Sequence, residues 1–455
     1  MQLNPIKPMS SDVRGKLGLA VLTVLSSVHP NALAESTDSP TKVDSSVMHY
    51  QESAGRIATT EAVVHAKQVF DNGSSVGLKL TYDTLSGGSP NGALPSKSVQ
   101  TFARPSGTSL TSTTTSVTPV QTYTTASGQV ISTGGGTSSS SGPYTVAPGE
   151  LPMDKSFHDQ RFAGNLDWTQ PLDEATTLSL GGGLSHELDF QSVSANGTLS
   201  RDFNNKNTTL SLGLNLESDS IKPIGGAPVP MTDYALFEKS GSKQKKVHDI
   251  LLGVSQIMNR RWITQFNWSI DQSRGYQNDP YKILSALDTQ GNTLGYVYEN
   301  RPEQRTRNSL YWGNKIALDH DTIDLSWRHM SDNWGVKSDT FDGKYRWQFS
   351  DYHYIEPQFR YYKQSAANFF HYYLMQGDPL VQYASADPRL ANFHAITLGL
   401  RWGMKLSENS ELGLRYLSYK QTGSGPSNVP TQLQGLNLYP GLKAQTVEAN
   451  FKLSF

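Results

Sequence analysis

The sequence predicts an all-β chain folded as a transmembrane antiparallel up-and-down β-barrel of about 16 strands, with 14 as the alternative count. Three observations lead there. No run of about 18 to 20 apolar residues is available to span a bilayer as a helix, yet charged residues are only 17% of the chain, against roughly 25% in an ordinary soluble domain. Apolar and polar residues alternate with period two in segments that run to about ten or twelve residues, the length a tilted strand needs to cross a membrane. Short and long connections alternate between those segments, as up-and-down threading demands.

Composition excludes other classes. The 39 Lys and Arg balance 40 Asp and Glu, which argues against a basic nucleic-acid binder. Mean hydropathy is −0.48, too polar for a helical membrane protein. Aromatic residues make up 10% and glycine is abundant, as in strands with one lipid-facing side. There is no cysteine, so disulfides, thiolate metal sites and cysteine nucleophiles are all ruled out.

The first element is an export signal. Lys7, Arg14 and Lys16 form a basic segment, residues 17–25 a short apolar one, and Ala32-Leu33-Ala34 an A-x-A cleavage site before Glu35. Residues 1–34 are therefore expected to be cleaved, leaving 35–455 as a single barrel in the outer membrane of a Gram-negative bacterium. A frayed N-terminal helix is the other reading of this segment.

Alternation is clearest at four places. Val76, Leu78, Leu80 and Tyr82 share one face, as do Leu178, Leu180, Gly182 and Leu184. So do Leu210, Leu212, Leu214 and Leu216, and the longer set His394, Ile396, Leu398, Leu400, Trp402 and Met404. Short turns are expected at 70–73, 171–174, 204–207, 259–261, 319–321, 350–351 and 406–409, with long outer connections at 87–157, 219–244, 274–305, 365–389 and 421–443. Lys42 to Glu52 alternates poorly; it is counted as a strand because single-chain bacterial barrels have even strand numbers. In the last strand Val447, Ala449, Phe451, Leu453 and the terminal Phe455 share one face. That pattern resembles the C-terminal signature read by the barrel-assembly machinery, a partner it therefore implies.

Residues 97–147 stand apart, with 24 Ser or Thr in 51 positions. So little apolar surface offsets ordering entropy poorly, and a mobile outer loop is expected. It is either a surface-exposed adhesive or shielding element or an insertion without function.

Once the apolar stripe fixes the faces, candidate functional residues follow. An aromatic girdle at headgroup depth is expected from Trp262, Phe266, Trp268, Tyr345, Trp347 and Trp402. An acidic lumen wall is expected from Asp167, Glu187, Asp189, Glu217, Asp249 and Asp271, with Arg161 as an exception. A basic wall is expected opposite, from Lys315, Arg328, Lys344, Arg346, Arg360, Arg401, Lys405 and Arg415, offset by Asp324, Asp342 and Glu356. Facing walls would set a transverse field that orients dipolar solutes; the alternative is that these charges pair with neighbouring strands.

No phosphate-binding, dinucleotide, zinc-protease or serine-hydrolase motif occurs, and the 11 His lack metal-ligand spacing. No catalytic residue, metal or cofactor is expected. His329 and Ser331 lie two apart on one strand face, an arrangement that outer-membrane phospholipases use; Asn392 would have to orient the His from three strands away. A girdle histidine is the simpler reading.

Blocks spread over the mature chain resemble the bacterial outer-membrane β-barrel proteins catalogued as domain-of-unknown-function family 3570. They are Asp83-Thr-Leu-Ser-Gly-Gly-Ser-Pro-Asn-Gly92, Ser200-Arg-Asp-Phe-Asn-Asn-Lys-Asn-Thr-Thr209, Gly275-Tyr-Gln-Asn-Asp-Pro-Tyr-Lys282, Glu299-Asn-Arg-Pro302, Asp332-Asn-Trp-Gly335, Tyr361-Tyr-Lys-Gln-Ser-Ala-Ala367 and Ser385-Ala-Asp-Pro-Arg-Leu390. The Ser/Thr-rich insertion departs from that pattern. Most blocks fall at outer strand ends or in outer connections, where they either shape a vestibule or simply set turn geometry. The resemblance implies a barrel in the outer membrane. Relatives encoded beside a small lipoprotein, a thioredoxin-like protein and a flavin transferase imply redox traffic at the envelope. Two functions are therefore expected: a pore for small hydrophilic solutes, or a non-conducting barrel that anchors or sheathes an envelope lipoprotein or redox protein.

Overall fold

The computed structural model describes residues 41–104, 122–124, 130–132, 143–236, 239–439 and 441–455. The expected signal segment, with its cleavage site at Ala34 and Glu35, lies outside the described residues. Sixteen strands close into one barrel in chain order. They begin with β1 (Thr41–Glu52), β2 (Ala58–Val69), β3 (Ser75–Ser86), β4 (His158–Pro171), β5 (Thr176–His186), β6 (Phe190–Phe203), β7 (Thr208–Ile221) and β8 (Lys243–Asn259). They continue with β9 (Trp262–Gly275), β10 (Gln304–Ala317), β11 (Thr322–Asp332), β12 (Lys337–Gln348), β13 (His353–Gln364), β14 (Phe393–Ser407), β15 (Ser410–Gly423) and β16 (Leu442–Ser454).

Closure falls on the strand with the weakest pattern. β1 pairs antiparallel with both β2 and β16, so the sheet has no open edge. The Thr41 N–H donates to the Phe455 carbonyl at 2.8 Å and the Phe455 N–H to the Thr41 carbonyl at 3.0 Å. Lys42 to Glu52 thus earns its place by backbone pairing on both sides rather than by apolar alternation.

Parity decides what each strand shows to each side. The apolar stripes are exposed: Leu184 is 64% accessible and Leu398 57%. The opposite face carries charges that reach across an intervening strand. Arg161 on β4 meets Glu61 on β2 at 3.3 Å, and Arg401 on β14 meets Asn450 on β16 at 3.2 Å. Side chains converge in this way on a concave wall, so the charged face lines the lumen and the apolar face looks outward. Leaving an apolar side chain in water forgoes about 1.5–3 kcal/mol of burial, and a band of them all round a barrel is stable only against lipid. No helix among the described residues is long and apolar enough to cross a membrane; the strands cross.

Short turns gather at one end, here the inner rim, and longer connections at the other, the outer rim. In the β6–β7 turn Asn204, Asn205 and Lys206 all take positive φ, at 56°, 53° and 65°, a conformation that Asn tolerates better than most residues.

The outer connections fold into a cap. Ile283–Leu287 pairs antiparallel with Thr293–Tyr298 and parallel with Leu374–Met375. Leu94 from the β3–β4 connection, Leu287 from β9–β10 and Leu433 from β15–β16 share one buried apolar cluster. Those connections leave the ring six, six and four strands apart, so they meet only by reaching across the mouth. A second cluster joins Ala93, Phe102, Tyr144, Val146, Ile283 and Tyr298. Most of the Ser/Thr-rich segment expected to be a mobile outer loop lies outside the described residues. Its ends, Gln100–Phe102 and Tyr144–Val146, form a two-stranded sheet whose aromatic residues are buried. Phe102 and Tyr144 supply apolar surface that the segment's average composition hides.

Candidate functional site

Charge holds the cap together. Arg301 is only 10% exposed and lies between two carboxylates, with Nε 2.7 Å from Glu299 Oε1 and Nη2 2.9 Å from Asp387 Oδ2. Arg389 donates from Nε to both Asp387 oxygens, at 3.0 and 2.8 Å, and from Nη2 to Asp279 Oδ2 at 2.8 Å. The Ser385 hydroxyl and the Asp279 N–H each donate to Glu299 at 2.5 Å. Lys282, 2% exposed, donates to the Ser89 hydroxyl at 2.8 Å and to the Pro90 carbonyl. Three acids thus meet three bases, and the blocks around Ser89, Asp279, Glu299 and Asp387 converge on one buried cluster.

Burial alone would raise the carboxyls of Asp279 and Asp387, but Lys282, Arg389 and Arg301 hold both below the usual range. Glu299 goes the other way: burial raises it, with Arg301 opposing. Burial would lower Arg389, yet Asp387 and Asp279 raise it. The arrangement suits an internal clamp, since Arg301 and Arg389 are held by Glu299, Asp387 and Asp279 while Lys282 ties in the Ser89–Pro90 run beside them.

Glycine lets the β3–β4 connection approach. Gly92 has φ +97°, and an added Cβ would collide with the Ile283 carbonyl; one on Gly88 would meet the Asp154 carbonyl. A cavity of about 220 Å³ remains beside this run, lined among others by Gly88, Tyr144, Asp154, Tyr234, Tyr281 and Tyr298.

Below the cap many of the charged residues on the inward-facing parity are engaged in ion pairs. Arg346 pairs with Glu356 at 3.0 Å, Arg360 with Asp342 at 2.8 Å, Arg401 with Glu411 at 3.2 Å and Arg415 with Glu448 at 3.2 Å. Lys315, Arg328, Lys344 and Lys405 also face inward and have no ion-pair partner among the described residues. On the acidic side Asp271 is held by both Arg307 nitrogens, at 2.9 and 2.7 Å. Asp249 accepts from Asn215 at 3.0 Å, and Asp167 lies 3.9 Å from His65. Glu217 faces inward on β7. Glu187 and Asp189 are not strand residues as expected; they occupy the β5–β6 turn at the outer rim, where Tyr281 donates to Asp189. The pairing was hidden because it depends on register: Asp342 sits opposite Arg360, and Glu448 opposite Arg415. Mid-lumen charges still reach solvent, with the Asp167 side chain 44% and that of Arg360 51% exposed.

The outward aromatics divide by depth. Trp347, Phe349, His353 and Trp402 make a chain of ring contacts at 5.8, 6.0 and 5.8 Å along the inner rim. Tyr345 joins them, donating to Asp321 at 2.5 Å, and Trp262 begins β9 there. Trp268 is the seventh of fourteen residues in β9, and Phe266 stacks on Trp312 at 5.9 Å within the apolar band. Those two belong to the band rather than to a rim. His329 does face outward, but its partner is Asp339, at 3.0 Å from Nδ1, and not Asn392, which precedes β14. Ser331 has no hydrogen bond to His329, so a nucleophile–base pair is not assembled.

These features define a class: a transmembrane up-and-down barrel whose lumen is hydrophilic and whose outer connections fold across its mouth. The chain belongs to the family described as Protein of unknown function (DUF3570), which matches residues 14–453. No curated protein matches it. Among solved structures it is similar to the outer membrane protein OpdK of Pseudomonas aeruginosa, with 8% identity and TM-score 0.38, covering 92% of this chain and 99% of that one. OccK2 (OpdF) of the same organism, in complex with glucuronate, has 11% identity and TM-score 0.37, covering 92% and 98%. A mutant ferric enterobactin receptor (PfeA) of that organism, in complex with enterobactin, has 10% identity and TM-score 0.40, covering 86% of this chain. The chain spans about half of that receptor's length, 55%.

Proposed function

We propose that the protein is an outer-membrane channel for small hydrophilic solutes whose outer cap restricts entry. The supporting observation is the combination of a solvent-reached, charged lumen with a mouth crossed by packed connections. Sixteen strands enclose an aqueous interior, and Lys315, Arg328, Lys344 and Lys405 stand along one wall outside any close ion pair, with Asp324 facing Lys315 and Lys344 and Glu411 facing Lys405 in register. Such a wall favours anionic or dipolar solutes over apolar ones. Planar-bilayer recording of the refolded full chain tests this: small, anion-preferring steps are expected. A second reading, a non-conducting barrel that anchors an envelope lipoprotein or redox protein, is favoured by the cap crossing the mouth, and absence of current would leave it standing.

A further inference from the structure

Lumen arginines are mostly paired, whereas a set of bases on the outward face is not. Period-two parity carries each apolar stripe to a basic residue at the outer rim. On β12 Phe341 leads to Lys337; on β13 Phe359 and Tyr361 lead to Lys363; on β14 Leu398 and Ile396 lead to His394. On β15 Leu414 and Tyr416 lead to Lys420, and on β16 Val447 leads to Lys443. All five are exposed. Register places them side by side: Lys363 is opposite His394, and Lys420 opposite Lys443. None of the four lysines has an acidic partner among the described residues. The acid on this face, Asp339, is opposite Lys363 in register but bonds to His329 at 3.0 Å and to the Trp327 indole N–H at 3.1 Å rather than to the lysine. Elsewhere round the rim the outward positions are mixed and, among the described residues, carry no unpartnered lysine cluster. They include Gln51 on β1, Ser86 on β3, His158 and Gln160 on β4, and Ser218 on β7. His186 on β5 is hydrogen-bonded to Gln191 on β6 at 3.0 Å, and Lys222, just beyond Ser218, donates to Gln191 at 3.4 Å. A smaller basic pair, Lys246 opposite Arg274, lies on β8 and β9.

We propose that the β12–β16 belt is a binding surface for a lipid whose headgroup carries phosphate, packed against the barrel in the outer leaflet. Unpaired ammonium groups just above an apolar wall match a ligand that presents acyl chains below and phosphate at the interface. Lys337, Lys363, Lys420 and Lys443 supply point charges, each worth about a fivefold change in affinity near an anionic surface. His394 stacks on Tyr361 at 6.3 Å and supplies a ring N–H. The proposal rests on the outer-membrane placement but not on conduction.

The test uses the refolded full chain in phosphatidylcholine vesicles containing bisphosphorylated lipid A or its dephosphorylated counterpart, with lipid retained by the extracted barrel as the readout. Wild type should retain the bisphosphorylated lipid at least tenfold better. The variant Lys337→Gln, Lys363→Gln, Lys420→Gln, Lys443→Gln should lose that preference, while a lumen control, Lys315→Gln with Lys344→Gln, keeps it. Equal retention of both lipids by wild type overturns the proposal without recourse to any variant, as does equal loss in the lumen control. Displacement by millimolar inorganic phosphate alone would also overturn it, because the site would then not need the lipid. Bilayer current from the same preparations separates this outcome from that of the channel reading.

Discussion

Replacing Arg301 by Met keeps much of the side-chain volume and removes the charge that joins Glu299 to Asp387. Both carboxylates are 1% exposed. Asp387 retains Arg389 at 2.5 Å, but Glu299 is left with the Ser385 hydroxyl and the Asp279 N–H. Stripping one partner from a buried pair costs about 3–5 kcal/mol. Since Asp387 keeps a base, the lower end applies, and about 3 kcal/mol is roughly a hundredfold rise in the open population of the cap. Glu299, already raised by burial, rises further. A raised carboxyl contributes stability below its unfolded value, near 4.3, and loses it as pH rises through its folded value, so the defect should grow with pH. Hydrogen exchange at Ile283–Leu287, compared between pH 5 and pH 8, measures it. Amides in that segment should lose about a hundredfold in protection, more at the higher pH, while those of β5 to β7 stay unchanged. Unchanged protection at Ile283–Leu287 would refute the claim that buried charge holds the cap.

Three further outcomes are expected. Gly92→Ala, forced into φ +97° against the Ile283 carbonyl, should destabilise the cap by about 2–4 kcal/mol, read as faster proteolysis of the outer connections with the barrel intact on gels. Burial and nearby Asp159 push the Glu187 carboxyl up to about 7, with Arg161 opposing; its contribution is full below about 4.3 and is lost as pH rises through about 7. Wild type should therefore unfold at lower urea at pH 8.5 than at pH 5.5, and Glu187→Gln should narrow that gap. Changing Lys315, Arg328, Lys344 and Lys405 together to Ser should move the reversal potential toward cations more than changing the ion-paired Arg346, Arg360 and Arg401; an equal shift would mean that pairing does not mask charge.

Much of the barrel was legible because its signal is local. Leu210, Leu212, Leu214 and Leu216 announce a strand face with no knowledge of its neighbours, and the turns between such runs give the count. β1 was reached only by parity, since its pairing with β16 is made by backbone groups that any sequence offers. The cap was not legible: Leu94, Leu287 and Leu433 meet across the mouth from connections far apart in the chain, and no periodicity marks them. Its clamp did leave a trace. Glu299-Asn300-Arg301 and Asp387-Pro388-Arg389 repeat an acid and an Arg two apart, a spacing that could have suggested interlocked pairs. Lumen pairing needed register, which composition does not contain. Depth was not legible for the aromatic residues either, because parity assigns Trp268 a face and says nothing of how far along the strand it sits.

Single-channel recording of refolded wild type beside Arg301→Met tests the central claim most directly, that a hydrophilic lumen lies beneath a charge-held cap. Small anion-preferring steps in wild type and larger or more frequent ones in the variant are predicted. No steps from either protein, with both folded and inserted, would contradict the account and make this barrel a scaffold.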